Sequence, residues 1–491
     1  MVSSVRAAGL SVLALGLASR QAMAVDVDDC VALLNGVGDG GETSFTLTSD
    51  MACSGDSITV ASGSDITVVG GGNTLSIGAG FSGESLFDNQ GTLTLNNVVI
   101  EQDTSGLTTG VRAISNEGAL TVSNCAITGL NLNSGTMLTK GGAIYSDSAG
   151  DVVISDSQLT SNFATQKGGA ICALGTGPLT IQGSTFRNNE VGLGAEEAGA
   201  GGDVYAAEDV TLTLKSSNFT ESVAEYGGAA VECCGATIED CLFSGTESFF
   251  DTEHFGALLV GRPDMGGCPN KLDMKRTNFT GCVVSFETGR GGALAVFDTS
   301  ADIEDCVFEG SQGTAVLFES SSATGANQLV LSSAHFYQNS LPSQEFEVSD
   351  AALGAGLVVK NTAVSGDTVT MGKFKNVYCF GNEPYECELV YDSSDALEDG
   401  EFKCQTCNEG GERTFPDTEN DLGSSANVNG DSDDSGSSEY SEGVFVGLTV
   451  ALGLTLVVIG ALAVWIFRLL KNAVDAGPSE GVGATPQRAS S

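Results

Sequence analysis

The feature that most constrains the fold of this chain is a strand-and-turn pattern that recurs every 24 to 36 residues. Each repeat holds a short run of alternating apolar residues, then a small residue or Cys, then an aromatic or aliphatic residue, and often an Asn three positions later. The run at 179–181, for example, leads to Phe186 and Asn189. A period of this length indicates a solenoid in which each repeat forms one coil.

The aromatic or aliphatic position keeps its register along the chain, and a Gly-Gly signature follows it in several repeats. In successive repeats this position is held by Ile100, Ile127, Leu159, Phe186, Phe219, Phe243, Phe279, Phe308 and Phe336. The glycine signature stands at 141–144, 168–171, 201–202, 227–229 and 291–294. Equivalent side chains of stacked coils lie about 4.8 Å apart, so the six phenylalanines are predicted to form one continuous inner stack.

The chemistry of the strands selects the type of solenoid. The runs alternate with period two, are rich in Val, Ile, Leu, Thr and Phe, and are separated by turns of Gly, Asn, Ser and Asp. None of the intervening segments has the pattern of a ten-residue helix. These features predict an all-β parallel β-helix, with the turn asparagines in a ladder and the glycine pairs at corners where a Cβ would clash.

The Gly-Gly-Ala-Ile and Phe-x-x-Asn signatures resemble the repeats of the polymorphic outer-membrane proteins of chlamydiae. More widely, they resemble the right-handed parallel β-helices of the pectin-lyase-like superfamily. The resemblance covers roughly residues 58–380, and it implies a right-handed coil and an adhesive role. The chlamydial proteins end in a membrane domain of a different kind, so the resemblance does not carry autotransport over to this chain.

Two apolar segments predict a secreted protein that is held in a membrane. The first follows Arg6 and leads to the Ala-Met-Ala triplet at 22–24, the pattern of a signal peptide cleaved before Val25. The second, at 443–467, is uncharged and long enough for a transmembrane helix, and Arg468 follows it at once. We therefore expect a single-pass type I protein of the plasma membrane, with its N-terminal domain extracellular.

Seven segments are predicted on this basis. They are a signal peptide (1–24), an N-terminal cap (25–57), the parallel β-helix (58–380), a Cys-rich C-terminal cap (381–410), an acidic flexible stalk (411–442), the transmembrane helix (443–467) and a cytoplasmic tail (468–491). Small residues recur every fourth position in the transmembrane helix and favour a homodimer, with chance enrichment of glycine as the alternative: Gly443, Gly447 and Ala451.

The charge of the chain narrows its partners. It has 63 acidic and 20 basic residues and a formal net charge of −43. Such a charge disfavours nucleic acid and acidic polymers as partners, and solubility of an exposed surface is its simplest meaning. Calcium binding by acidic turns is the alternative, although the sequence has no EF-hand loop. No other cofactor is expected.

The cysteines, 14 in number, all lie between the two apolar segments, where an oxidising compartment favours disulfides. Cys30 is available to pair with Cys53 near the N-terminal end. A disulfide-closed C-terminal cap, with metal binding as the alternative, is expected from four cysteines past the last coil: Cys379, Cys387, Cys404 and Cys407.

Three further cysteines, Cys125, Cys241 and Cys306, share one register just before the stacking position. Coils two apart are separated by roughly 9–10 Å, which exceeds the reach of a disulfide. These cysteines are therefore expected either to fill a small buried column or to pair laterally with one of Cys233, Cys234, Cys268 and Cys282.

Two Asn-Phe-Thr sequons, at Asn218 and Asn278, are candidate N-glycosylation sites. In each of them the phenylalanine belongs to the inward stack. Because side chains alternate along a strand, the preceding asparagine is expected to point outward.

An enzyme is the alternative that the superfamily resemblance raises, since its members include polysaccharide lyases and glycosidases. The polygalacturonase motifs Asn-Thr-Asp, Gly-His-Gly and Arg-Ile-Lys are absent, and His254 and His335 stand in unrelated contexts, the latter expected at an exposed turn. The Arg-Pro-Asp run at 262–264 is faintly lyase-like, but a surface loop explains it equally well. No catalytic residue is assigned.

The expected function is therefore non-enzymatic: a cell-surface β-helix for adhesion or for recognition of glycans or partner proteins. A surface carbohydrate-active enzyme, either a polysaccharide lyase or a glycosidase, remains the alternative.

Overall fold

The structure is a computed structural model whose described residues all fall in the compact unit Met1–Asp417. The described residues are 24–27, 30, 33, 42–103, 110–132, 139–192, 199–225, 227–248, 254–261, 268, 270–284, 291–320, 327–340, 356–361, 372–375, 377–380, 382, 387–390, 397–398 and 402–404. The predicted stalk, transmembrane helix and tail lie outside them, as does the signal peptide apart from Ala24. No helix within the described residues is long and apolar enough to cross a membrane.

The architecture consists of parallel sheets in which each strand pairs with the equivalent strand of the next coil. Sheet 1 has 14 described strands: Ala24–Val27, Glu42–Leu47, Asp65–Val69, Thr92–Asn96, Ala119–Ser123, Val152–Ser155, Leu179–Gln182, Leu212–Lys215, Ala236–Glu239, Leu272–Lys275, Ala301–Glu304, Leu329–Ser332, Gly372–Lys375 and Leu397–Glu398. Sheet 2 has 13: Met51–Gly55, Thr74–Phe81, Val99–Gln102, Ala126–Thr128, Gln158–Thr160, Thr185–Arg187, Asn218–Thr220, Leu242–Ser244, Asn278–Thr280, Val307–Glu309, His335–Tyr337, Val377–Phe380 and Phe402–Cys404.

The remaining strands complete each coil. Sheet 3 has 12 described strands: Ile58–Val60, Ser85–Asn89, Arg112–Asn116, Ile144–Ser146, Ile171–Ala173, Val204–Ala206, Val231–Cys233, Leu258–Val260, Leu294–Phe297, Val316–Ser320, Leu357–Asn361 and Cys387–Val390. Sheet 4 has five short ones: Phe163–Ala164, Glu190–Val191, Val223–Ala224, Glu247–Ser248 and Val283–Val284. Gly227–Gly228 pairs with His254–Phe255.

One coil passes through sheets 1, 2, 4 and 3 in turn, as in the coil that starts at Leu179. The turns between the first three strands are only two residues long. The first residue of each turn takes a positive φ, 59° at Gly183 and 53° at Asn188, and the second residue, Ser184 or Asn189, is buried. The all-parallel pairing of successive coils is consistent with a parallel β-helix, the coarse fold that the repeat predicted.

The inner face of sheet 2 holds the column of phenylalanines. The strand pairing sets Ile100, Ile127 and Leu159 in the same column ahead of Phe186. The six phenylalanines from Phe186 to Phe336 are fully buried, with neighbouring ring centroids 4.7–5.0 Å apart and nearly parallel planes. Each of the four inner rings is thus packed between the rings of the coils above and below, and Phe186 and Phe336 end the column.

The glycine pairs stand at a corner where two backbones approach closely. Gly168 has a φ of +63°, a conformation that L side chains rarely adopt. A Cβ on the next residue, Gly169, would overlap the carbonyl oxygen of Gly202, the equivalent residue of the following coil. The expected reason for the signature is therefore confirmed, because both glycines are needed for the coils to stack at this corner.

The N-terminal end of the stack is closed by a short segment linked to sheet 2. Cys30 and Leu33 are helical, Leu33 is fully buried against the core, and Cys30 forms the predicted disulfide with Cys53, with a Cα–Cα distance of 5.2 Å. Strands also occur within both predicted cap segments. Those at Glu42–Leu47 and Cys387–Val390 pair in parallel with neighbouring coils.

The phenylalanine column yields a first prediction. Phe279→Ala removes a fully buried ring that contacts rings on both sides, so we expect the free energy of unfolding to fall by about 3–5 kcal/mol. The effect is measured as a drop in the midpoint of thermal unfolding. Thr213→Ala, a half-exposed exchange on sheet 1, is the control and should change stability by about 0.5 kcal/mol or less. Equal effects of the two exchanges would contradict the role given to the stack.

Candidate functional site on the outer faces of the sheets

The outer face of sheet 2 carries both candidate glycosylation sites in one row. The strand pairing sets Asn218 against Leu242 and Leu242 against Asn278, and the row continues through Val307 to His335. Both asparagines are exposed, while the phenylalanine after each of them points into the core. The two sequons therefore face solvent on the same side of the stack, two coils apart.

Three aromatic rings, here called the aromatic cluster, stand at the C-terminal end of this face. His335 and Tyr378 occupy the same row on neighbouring strands, with ring centroids 4.9 Å apart and planes 13° apart. Tyr337 lies beside His335, and its hydroxyl is 2.9 Å from Nδ1 of the imidazole. All three are half-exposed. His335 was expected at a turn, and this expectation is wrong because it begins the strand His335–Tyr337.

The outer face of sheet 3 carries a basic–tyrosine patch, defined as Arg112, Lys140, Tyr145, Lys167 and Tyr205. The Arg112 guanidinium carbon lies 5.1 Å from the centre of the Tyr145 ring. The Lys167 ammonium lies 4.1 Å from the centre of the Tyr205 ring and 2.9 Å from its hydroxyl. The backbones of Lys140 and Lys167, on neighbouring coils, form an isolated parallel β-bridge. Such cation–ring contacts are worth about 0.5–2 kcal/mol each, more as water is excluded.

The patch is centred on a buried thiol, Cys172, which lies between Tyr145 and Tyr205 in the row of sheet 3. Burial raises the pKa of Cys172 to about 12, against the opposing effect of the positive charges on Lys167 and Lys140. The thiol therefore stays protonated and serves as an apolar floor under the surrounding polar groups.

The side chain of Arg112 is partly buried. Its Nε atom is buried without a hydrogen-bond partner, and among the described residues neither Arg112 nor Lys140 has a carboxylate within 4 Å. Burial lowers the pKa of Arg112, while the negative charge of Glu84 raises it. Arg112 and Tyr145 are both half-exposed, so their contact lies at the surface of sheet 3.

The outer face of sheet 1 differs from both of these faces. Its middle row is built of small β-branched side chains over seven successive coils: Thr67, Thr94, Thr121, Val153, Thr180, Thr213 and Thr237. Farther along, ion pairs join neighbouring strands, as at Lys275–Glu304, where the charged atoms are 2.9 Å apart. Exposed pairs of this kind contribute little to stability.

The three cysteines that share one register lie in a buried column, which is the first of the two arrangements predicted from the sequence. Cys125, Cys241 and Cys306 are free and buried, so the lateral-pairing alternative is wrong for them. Burial raises the pKa of Cys241 to about 11 and that of Cys306 to about 12, which keeps both protonated. Of the four cysteines considered as lateral partners, Cys234 and Cys268 form a disulfide with each other, and Cys233 and Cys282 are free.

Of the four cysteines assigned to the C-terminal cap, Cys379 is disulfide-bonded. The side chains of Cys387 and Cys404 and all of Cys407 lie outside the described residues. In the part of the chain that is described, no group of three His, Cys, Asp or Glu side chains is placed to hold a metal ion. His254 is described only as backbone of a short strand, and the run at 262–264 lies outside the description.

The predicted asparagine ladder is confirmed at two places in the turns that follow the strands of sheet 2. The backbone amide and the side-chain amide of Asn162 both donate to Oδ1 of Asn189, at 2.9 and 3.0 Å. Asn339 makes the same pair of bonds to Oδ1 of Asn382, at 2.9 and 2.8 Å. Each amide thus supplies the acceptor that the turn of the preceding coil needs.

Asp203 is an acid built into this polar column. It stands where other repeats have Ala after the glycine pair, and it accepts hydrogen bonds from Nδ2 of Asn189 at 2.7 Å and from the Ser222 hydroxyl at 2.6 Å. The residue is fully buried, and burial raises its pKa to about 7, although both hydrogen bonds lower it. Because Asp203 has no contact with solvent, it is a structural acid and not a general acid that a substrate could reach.

Comparison of the chain with family models, with curated proteins and with solved structures gives no match.

The basic–tyrosine patch was missed by the sequence interpretation. Its members are separated by 28, 5, 22 and 38 residues, and no local motif joins them. The signal that was present is positional: Lys140 and Lys167 each stand just before a glycine pair, and Tyr145 and Tyr205 each follow one in the outward position of a strand. If the positions of polar residues had been aligned between coils in the same way as those of core residues, four of the five patch residues would have been predicted to lie close together.

Asp203 yields the second prediction. Its folded-state pKa of about 7 exceeds the value of about 3.9 expected in the unfolded chain. The stability that depends on its neutral form is therefore complete below pH 4 and is lost as the pH rises through 7. We expect Asp203→Asn to be more stable than the natural protein at pH 8, by on the order of 4 kcal/mol.

The measurement is the midpoint of thermal unfolding of both proteins between pH 4 and pH 8. The advantage of Asp203→Asn should shrink towards zero at the acid end. Asp209→Asn, an exposed exchange in the same coil, is the control and should follow the natural protein throughout. An advantage that is the same at both ends of the range would show that Asp203 does not titrate as described.

Proposed function

We propose that this protein is a non-enzymatic recognition protein of the cell surface, and that the basic–tyrosine patch on sheet 3 binds a hydroxyl-rich ligand, a glycan or a glycosylated partner. The observation that carries the proposal is the contact between two half-exposed side chains, in which the Arg112 guanidinium carbon lies 5.1 Å from the centre of the Tyr145 ring. The half-exposed Tyr145 supplies a hydroxyl and apolar ring surface beside the cations, which is the combination that sugar hydroxyls and ring C–H groups need.

The charge around the patch favours neutral over acidic glycans. Three carboxylates lie near its cations: Glu84 acts on Arg112, and Asp147 and Glu117 act on Tyr145. Together they offset the three positive charges of the patch. The chain as a whole carries a net charge of −43, so a polyuronate would be repelled over longer distances.

The secretion of the protein, its membrane anchor and the handedness of its coil are part of the same proposal. The signal-peptide pattern and the apolar segment at 443–467 support secretion and a type I membrane anchor, with the sequons in the lumen of the secretory pathway. The coil is proposed to be right-handed, like those of the pectin-lyase-like superfamily, since parallel crossover connections are right-handed in about 98% of cases. In this arrangement the patch, in the N-terminal half of the stack, is farther along the chain from the membrane than the aromatic cluster.

The third prediction tests the patch directly. The purified full-length protein is incubated with neutral polysaccharides, a β-glucan and a mannan, and with acidic ones, alginate and pectate. Binding and the release of shorter products are measured together. We expect binding of a neutral glycan without product, and affinity about tenfold lower in Arg112→Gln and in Tyr145→Ala, the loss expected for one hydrogen bond or cation–ring contact.

Arg187→Gln is the matched control, because Arg187 is an exposed arginine on sheet 2 whose partner is Glu221 at 2.9 Å. Its affinity should equal that of the natural protein. Product formation would replace the proposal with the enzyme alternative. Binding that is unaffected by Arg112→Gln and Tyr145→Ala would remove the patch from it.

A further inference from the structure

The row on sheet 2 that holds Asn278 changes character just beyond that residue. On the next strand the row position is Val307, and on the following strands it is His335 and Tyr378. Val307 is half-exposed and has a short side chain. It therefore leaves a shallow depression in the surface between Asn278 and the rings of His335 and Tyr378. The distance from Asn278 to His335 along the row is two strand spacings, roughly 9–10 Å.

The rings of the aromatic cluster stand edge-on to solvent. The ring centroids of His335 and Tyr378 are only 4.9 Å apart, and the ring planes are nearly parallel. Two rings lying flat on the sheet at this distance would overlap, so both rings must stand upright. One face of the imidazole is therefore covered by Tyr378. The Tyr337 ring of the same strand also lies against the imidazole, with centroids 5.7 Å apart and planes 23° apart. On the side of His335 opposite Tyr378, the neighbouring row position is Val307, a shorter side chain.

A pyranose ring placed over Val307 would continue this stack. It would rest on the valine methyl groups and set its C–H bonds against the side of His335 that is turned away from Tyr378, the geometry in which aromatic faces attract apolar or weakly positive edges. The sugar with the shortest route to that place is the first or second residue of a glycan on Asn278, one strand away.

We propose that the N-linked glycan of Asn278 is held against the protein, with its innermost sugars packed over Val307 and against His335. The inference rests on the proposed function in one respect, since glycosylation requires the secretory placement. It assigns a ligand, the chain's own N-acetylglucosamine residues, to the aromatic cluster.

Asn218 provides a matched comparison within the same molecule. It begins the same Asn-Phe-Thr sequon, is exposed, and occupies the same row. Its next neighbour towards the C-terminal end is Leu242, and the position after that is Asn278 itself. A glycan on Asn218 thus meets an apolar floor but no aromatic wall, so the two sites differ in the feature that the proposal invokes.

The fourth prediction uses the full-length protein made in a glycosylating eukaryotic host. Peptide-N-glycosidase is added to the native and to the denatured protein, and cleavage at each asparagine is followed by mass spectrometry of the two peptides. The native-to-denatured ratio of rates cancels any local sequence preference of the enzyme. We expect that ratio to be about two- to tenfold lower at Asn278 than at Asn218, the range that one ring-stacking contact supplies.

Two substitutions of His335 complete the test. His335→Ala should raise native cleavage at Asn278 to the relative rate of Asn218 and leave Asn218 unchanged, while His335→Phe should keep the protection. Equal ratios at the two sites, or protection that persists in His335→Ala, would overturn the docking but not the secretory placement. Absence of glycan from Asn278 would also overturn the docking, and it would leave the secretory placement to be judged from the cleavage of the signal peptide.

Discussion

Hydrogen bonding between the backbones of successive coils is the interaction on which the rest of this structure depends. It fixes the axial repeat at one strand spacing, about 4.8 Å, and every side chain is thereby placed over its equivalent in the next coil. The phenylalanine rings, 4.7–5.0 Å apart, stack because the backbone imposes a distance that suits ring faces. The same distance allows one amide to reach the next in the asparagine ladder. Core packing and polar ladders are both consequences of that single spacing.

The turns show how the chain satisfies this constraint at its corners. Residues other than glycine take positive φ there, as at Asp156, Ser216 and Arg276, and each such residue costs about 1–2 kcal/mol. The following side chain offsets the cost by closing the turn. Ser157, for instance, donates to the Ser155 carbonyl at 2.7 Å and accepts from the Cys125 amide at 3.1 Å. Hydroxyl groups in this column thus replace the backbone partners that a two-residue turn cannot supply.

The sequence was informative wherever the coil register could be read from residue type. Large apolar residues, glycine pairs and turn asparagines recur with few substitutions, so the sheets, the inner stack and the disulfide of Cys30 with Cys53 followed from them. The outward positions vary from coil to coil, because each is free of the core, and no pattern of one residue type marks them. Arg112 and Tyr145 meet only through the stacking of two coils, and Asp203 occupies a position where the pattern predicts alanine. Such exceptions become visible only when the coils are superposed on one another.

The free cysteines have a consequence for the way such a chain matures. Among the described residues, six thiols are buried in the stacked coils. Neighbouring coils enclose them, as at Cys282, whose Sγ lies 3.7 Å from the Phe243 carbonyl oxygen of the preceding coil. The order in which coils assemble therefore determines which thiols are still accessible to oxidation. In a chain that adds its coils promptly, stacking itself is what prevents mispaired cross-links.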